Sequence, residues 1–251
     1  MYPFQLNGKG GFYHLKGCLF IHGFTGAPYE VEPLASYIKK QTDWIVKVPT
    51  LPGHGVTLSL KGHTYKEWIS HAEQELLLLM KEVDEVYVIG FSMGGVIASY
   101  LAAKYEVKKL VLLSAAVYYV NPKQLAVDVK NMIKDLFGGK INNNELFNRY
   151  KKKIVETPLS STIEFRKLVK EIKPYIQKLN MPVLIVQGEC DGIVPVKSAF
   201  YLYNTIPSKQ KELHLLPCSK HHVCHGDDYE DLKEYVERFL GNQHEESAIY
   251  S

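Results

Sequence analysis

Apolar runs of strand length alternate with helix-length stretches along most of this chain, and that rhythm limits the folds open to it. Cys18-Leu19-Phe20-Ile21 is continuously apolar and ends in His22-Gly23, as a strand buried on both faces would. Residues 44–48, 85–90, 109–113, 181–187 and 212–216 read as further strands. Between them, Pro28 opens a helix with Val31, Leu34, Ala35 and Ile38 at helical spacing. Thr64 caps a second helix, with Glu67 three residues on completing a capping box, and that helix runs to about Lys81. Residues 94–105, 198–204 and 228–240 are helical, the last amphipathic. Strands alternating with helices imply βαβ units and a mostly parallel central sheet flanked by helices, an α/β fold.

One segment breaks the rhythm. Between Ser114 and Met181 the composition is helical and no strand is evident; Pro122, Gly138-Gly139, Asn142-Asn143-Asn144 and Pro158 cut it into short pieces. We expect one domain spanning 1–251, with a core of 1–116 and 179–251 and an inserted helical cap at 117–178. An insertion there leaves the strand ends on the same side as the mouth of a site. Leu125, Val129, Met132, Ile133, Leu136 and Phe137 in the insert would line an aliphatic pocket or form its own helix core.

The chain of 251 residues is 46% hydrophobic, long enough to bury a core without disulfides or structural metals. Its formal charge of +3, with basic residues scattered, gives no reason to expect nucleic acid as a partner. The first ten residues lack a charged segment followed by an apolar one, and the longest aliphatic run, 76–80, is too short to span a bilayer. Cys18, Cys190, Cys218 and Cys224 form no CxxC pair, so free thiols and a cytoplasmic location are expected. Cys190 and Cys218 both follow predicted strands and are the one pair that could meet.

Gly90-Phe91-Ser92-Met93-Gly94 is a G-x-S-x-G sequence set between a predicted strand and a predicted helix. Such a turn is too tight for side chains at its glycines, exposes the serine hydroxyl above the sheet edge and frees the N–H of the next residue, Met93, to donate to an oxyanion. His22-Gly23-Phe24-Thr25-Gly26 follows an earlier strand and offers the N–H of Phe24 as a second donor, with His22 bracing the loop. Asp191 follows a late strand and is the expected acid; Glu189 is its competitor. The base should follow the last strand, where His221 and His222 both qualify. His221 is preferred because it stands in Ser219-Lys220-His221, an S-x-H arrangement. The order nucleophile, acid, base is that of a serine hydrolase of this topology. Cys218, Cys224, His221, His222 and His225 also crowd together, but too closely for one tetrahedral site and with no second ligand pair elsewhere, so no metal is expected.

On these residues the chain resembles the small bacterial carboxylesterases and monoacylglycerol lipases of the α/β-hydrolase superfamily, over nearly its whole length. His22 to Gly26 is similar to their oxyanion motif, Gly53-His54-Gly55 to a loop after the next strand, and Gly90 to Gly95 to their nucleophile elbow; Asp191 and His221 stand where their acid and base stand. The resemblance implies an α/β-hydrolase fold with a small helical cap inserted before the late strands, an acyl-enzyme on Ser92, no cofactor, and a small ester with an apolar acyl group as substrate. Two departures bear on the base: Lys220 stands where the family has glycine, and a second histidine follows. Thioesterase, amidase and carbon–carbon hydrolase chemistry would use the same triad, and a non-catalytic receptor would keep the fold. The sequence does not give the oligomeric state.

Overall fold

A computed structural model describes residues 14–119 and 158–241. Its elements, in chain order, are β1 (Lys16–Ile21), α1 (Glu32–Gln41), β2 (Ile45–Lys47), α2 (Tyr65–Leu79), β3 (Glu85–Phe91), α3 (Met93–Lys104), β4 (Lys109–Leu113), α4 (Leu159–Ile172), β5 (Val183–Gly188), α5 (Lys197–Thr205), β6 (Lys211–Leu216) and α6 (Tyr229–Leu240). The six strands form one parallel sheet in the order β2-β1-β3-β4-β5-β6. The order reverses between β1 and β3, which places the carboxyl ends of those strands at the switch point where open α/β sheets carry their sites.

Strand residues alternate between two apolar layers. Leu19, Ile21, Val88, Leu110, Leu112 and Ile185 face one side and pack under α2, α3, α4 and α5. Cys18, Phe20, Ile89, Val111, Leu113 and Val186 face the other, under α1 and α6. Both faces are covered, which explains why these strands read as continuous apolar runs. α3 lies at the centre and is buried on nearly all sides, from Met93 through Ala102. The two polar-faced helices, α1 and α6, are amphipathic because their outer faces meet solvent.

The expected helix from Pro28 is split. Residues Pro28–Glu30 form a 3-10 turn, and α1 starts only at Glu32. Pro33 is the reason: it has no N–H to give to an earlier turn, so it is tolerated only within the first turn of a helix. α2 begins where expected. Thr64 Oγ1 accepts from Glu67 N–H while Glu67 Oε2 accepts from Thr64 N–H, a complete capping box.

Of the insert expected at 117–178, residues 117–119 and 158–178 are described, and the six apolar residues singled out between Leu125 and Phe137 lie outside the described residues. α4 buries Ser161, Thr162, Phe165, Leu168, Val169 and Ile172, a single helical face, against α2 and α3. Polar links fasten it there: Ser161 Oγ donates to Leu60 C=O at 3.2 Å, and Tyr65 N–H donates to Glu164 at 3.2 Å. No helix among the described residues is long and apolar enough to cross a membrane. The four cysteines are free thiols; Cys190 Sγ lies 3.3 Å from Pro217 C=O.

Candidate active site

Ser92 stands between β3 and α3 with φ 53° and ψ −116°, a conformation that few residues with a side chain adopt. Neighbouring backbone holds it there. Ser92 N–H donates to Leu113 C=O at 2.9 Å, and Ser92 C=O accepts from Gly95 at 3.1 Å and Ala116 at 3.1 Å. The two motif glycines are obligatory by contact. A Cβ on Gly90 would overlap Gly94 C=O, and one on Gly94 would overlap the carbonyls of Ile21 and His22. All of these obstacles are backbone in packed elements and cannot step aside. Gly94→Ala is therefore expected to cost about 3 kcal/mol, which a urea melt monitored by circular dichroism measures.

The N–H of Met93, first in α3, has no partner inside the helix and lies at its positive end. Phe24 N–H, the second donor expected from the sequence, lies in the loop after β1, and His22 sets its direction. Burial holds His22 below the usual histidine range, against the pull of the Glu30 carboxylate. Its Nε2 accepts Leu51 N–H at 3.1 Å, so Nδ1 carries the proton and donates to Gly23 C=O at 2.9 Å. Gly26 N–H donates to the same carbonyl at 3.3 Å. In a trans peptide the C=O and N–H point opposite ways, so fixing Gly23 C=O on one side aims Phe24 N–H to the other. The neighbouring loop supports this one: Gly55 N–H donates to Gly26 C=O at 3.1 Å, and His54, lowered to about 3 by burial and by His22, gives its Nδ1 proton to Pro52 C=O at 3.0 Å.

Asp191 lies on the turn after β5 and is 9% exposed. Its Oδ1 accepts from Ile193 N–H at 2.8 Å and Val194 N–H at 2.9 Å; its Oδ2 accepts from Gln187 Nε2 at 2.8 Å and His221 Nδ1 at 2.7 Å. Burial alone would raise its pKa, but His221 and the two backbone N–H groups outweigh that and hold the carboxyl below the usual aspartate range. An ionised carboxylate only accepts, so His221 Nδ1 carries a proton. Its Nε2 lone pair then faces Ser92 Oγ at 3.0 Å.

The structure thus brings Ser92, His221 and Asp191 into one hydrogen-bonded line. It takes the two rival residues elsewhere. Glu189 directly follows β5, where its N–H donates to Leu216 C=O at 2.9 Å and its side chain is exposed. His222 points away from Ser92, and its Nε2 meets Glu30 Oε1 at 3.0 Å. His225 Nε2 donates to Tyr29 C=O at 2.8 Å. Among the described residues, no three His, Cys, Asp or Glu side chains group as a metal site requires. Gln187, the last donor on Asp191, escaped sequence reasoning because it sits inside an apolar strand, where a lone amide looks like an interruption. Glu30 escaped because a glutamate beside a proline turn reads as solvated.

Beside this loop after β1 stands an aromatic wall. The Phe24 ring stacks on Phe165 of α4 at 5.2 Å and 11°, Tyr119 packs on Phe165 at 5.0 Å, and Trp68 stands 5.8 Å from Phe24. The helix that closes the expected insert thereby contributes directly to the surroundings of the site.

The family model described as "Serine aminopeptidase, S33" matches residues 15–228, most of the chain and all of this constellation. The chain belongs to that family. Among the relatives of this chain, a thermostable monoacylglycerol lipase of Bacillus sp. (strain H-257) is 28% identical over 233 residues, covering 88% of this chain and 89% of that protein. A carboxylesterase of Bacillus subtilis (strain 168) is 24% identical over 230 residues, 87% and 92% of the two chains. Among solved structures, one from work on LipS and LipT, two metagenome-derived lipolytic enzymes, superposes with a TM-score of 0.74 at 22% identity, over 90% of this chain and 94% of that one. Paleococcus ferrophilus monoacylglycerol lipase superposes with a TM-score of 0.67 at 16% identity, over 89% and 93%. These structural likenesses give the S33 chain the α/β-hydrolase fold.

Proposed function

We propose that the protein is a serine hydrolase that cleaves carboxylic esters with apolar acyl groups. The observation that carries this reading is the line Asp191–His221–Ser92, with 2.7 Å and 3.0 Å between its members. Ser92 Oγ attacks the ester carbonyl while His221 Nε2 takes its proton. Asp191 holds the imidazole in the receptive tautomer and stabilises the imidazolium. The N–H groups of Phe24 and Met93 receive the oxyanion. The tetrahedral adduct collapses, and the alcohol leaves with the proton from His221. Water, deprotonated by His221, then attacks the acyl-Ser92 ester; the acid departs and Ser92 recovers its proton. No step calls on a cofactor.

The aromatic wall of Phe24, Phe165 and Tyr119 supports an apolar acyl group, and the names of the two Bacillus relatives point the same way. Four unpaired thiols support a reducing, cytoplasmic compartment; recovery of the native protein with Cys190 and Cys218 oxidised would argue against it.

Hydrolysis of p-nitrophenyl esters from acetate to laurate tests the reading. Turnover should rise with acyl length before it falls, and the matching p-nitroanilides should react far more slowly. A preference for anilides would assign the peptidase chemistry in the family description instead. His221→Ala should lower kcat by about 10⁴-fold or more. A dead His222→Ala beside an active His221→Ala would contradict the assignment of the base.

A further inference from the structure

The histidine that does not face Ser92 is held by a buried carboxylate that also holds the oxyanion loop. We propose that Glu30 and His222 are a positioning pair, which locks the loop carrying Phe24 N–H to the loop carrying His221. This rests on the acyl-transfer reading above.

Glu30 ends the 3-10 turn after the oxyanion loop and is 5% exposed. Its side chain folds back over that loop. Oε2 accepts Gly23 N–H at 2.8 Å, and Oε1 meets His222 Nε2 at 3.0 Å. Gly26 leaves the room: a Cβ there would overlap the carboxylate. Burial pushes the Glu30 carboxyl up, but His222, His22 and the Gly23 N–H together hold it below the usual glutamate range. The carboxylate is therefore ionised, and His222 Nε2 supplies the proton of their hydrogen bond. His222 Nδ1 is buried with no partner among the described residues, so Glu30 is the polar anchor of this ring. The ring otherwise packs on Phe91 at 5.3 Å, next to the His221 ring.

Two consequences follow for the site. Gly23 is gripped on both sides, its N–H by Glu30 and its C=O by His22, so neither peptide next to it can rotate. That leaves Phe24 N–H one direction. The grip is also anchored to the residue after His221, so oxyanion donor and base are referenced to each other through two residues, Glu30 and His222, that stand 192 apart in sequence. An ionised carboxylate is a costly way merely to fill this space, since an apolar side chain of like size gives equal or better stability. What an apolar residue cannot do is hold Gly23 N–H and His222 at once.

The test uses the full chain with an ester substrate and an alkyl trifluoromethyl ketone, whose adduct with the serine carries an oxyanion where the intermediate does. Glu30→Ala should lower kcat about 10- to 100-fold, less than the roughly 10²- to 10³-fold cost of removing an oxyanion donor outright because the donor is only displaced, and weaken the ketone by the same factor. KM should stay within about three-fold. Glu30→Gln should recover most of the loss: its carbonyl still accepts Gly23 N–H, and His222 can shift its proton to Nδ1 and accept from the amide. His222→Phe keeps the packing on Phe91 and severs the link, so it should lose kcat and ketone affinity together, which covers the case of an unfolded Glu30→Ala. Wild-type kcat and ketone affinity in folded Glu30→Ala or His222→Phe would overturn the pair, as would a loss confined to KM. A wild-type protein that neither turns over esters nor binds the ketone would instead remove the acyl-transfer reading itself.

Discussion

Alanine at position 92 should lower ester turnover by about 10⁴- to 10⁶-fold and leave the melting temperature where it was. The asymmetry follows from what the side chain does. Ser92 backbone groups carry the local fold: its N–H is held by Leu113, and its C=O serves Gly95 and Ala116. Among the described residues, its hydroxyl hydrogen-bonds His221 alone. Alanine keeps the Cβ and the φ of 53°, and loses only the oxygen that forms the acyl bond. Steady-state kinetics on a p-nitrophenyl ester, paired with a thermal melt, separates the two. A variant that retains even a hundredth of the wild-type kcat would mean that another group carries the reaction.

Asp191→Asn should cost about 10⁴-fold in kcat with little change in KM. Four donors converge on this carboxylate, and asparagine has one oxygen to offer them. Ile193 and Val194 N–H are fixed in the turn and claim it, so the amide nitrogen is left facing His221 and Gln187. Gln187 can rotate its amide to accept. His221 can answer only by moving its proton from Nδ1 to Nε2, where it points at Ser92 and can no longer take the serine proton. The same substitution changes the acid limb of stability. Because the folded state holds Asp191 below the usual aspartate pKa, its contribution is complete above that ordinary value and is lost as pH falls through the lower folded one. The asparagine variant lacks that contribution, so its urea midpoints between pH 6 and pH 3 should fall less steeply than those of the wild type. An identical slope in both proteins would mean that the carboxylate is not stabilised in the fold.

The parts of this architecture that sequence reading reached are those written locally. A strand buried on both faces must be apolar throughout, so β1, β3, β4 and β5 announce themselves. The Thr64–Glu67 box lies within four residues, and the Gly90 and Gly94 spacing reflects contacts inside one turn. Pro33 was equally local, and its veto on a helix from Pro28 is legible once its missing N–H is considered. The choice between His221 and His222 was of another kind. The backbone turns tightly at His222 (φ −80°, ψ 73°), where Val223 N–H donates to His221 C=O at 3.0 Å, so the two side chains diverge, and which of them faces Ser92 depends on how the loop after β6 crosses the sheet edge. That depends on contacts such as Cys190 N–H to Ser219 C=O at 3.1 Å, between residues that follow different strands. Glu30 and Gln187 were hidden for the same reason: each is polar in a place where only a distant partner makes burial affordable.

The most direct test of the account is the site of covalent capture. The folded protein is treated with a fluorophosphonate, and the adduct is mapped by peptide mass spectrometry. The line Asp191–His221–Ser92 predicts a single phosphonyl group on Ser92, with labelling slowed severely in His221→Ala. No adduct in folded protein, or one on a different serine, would contradict it.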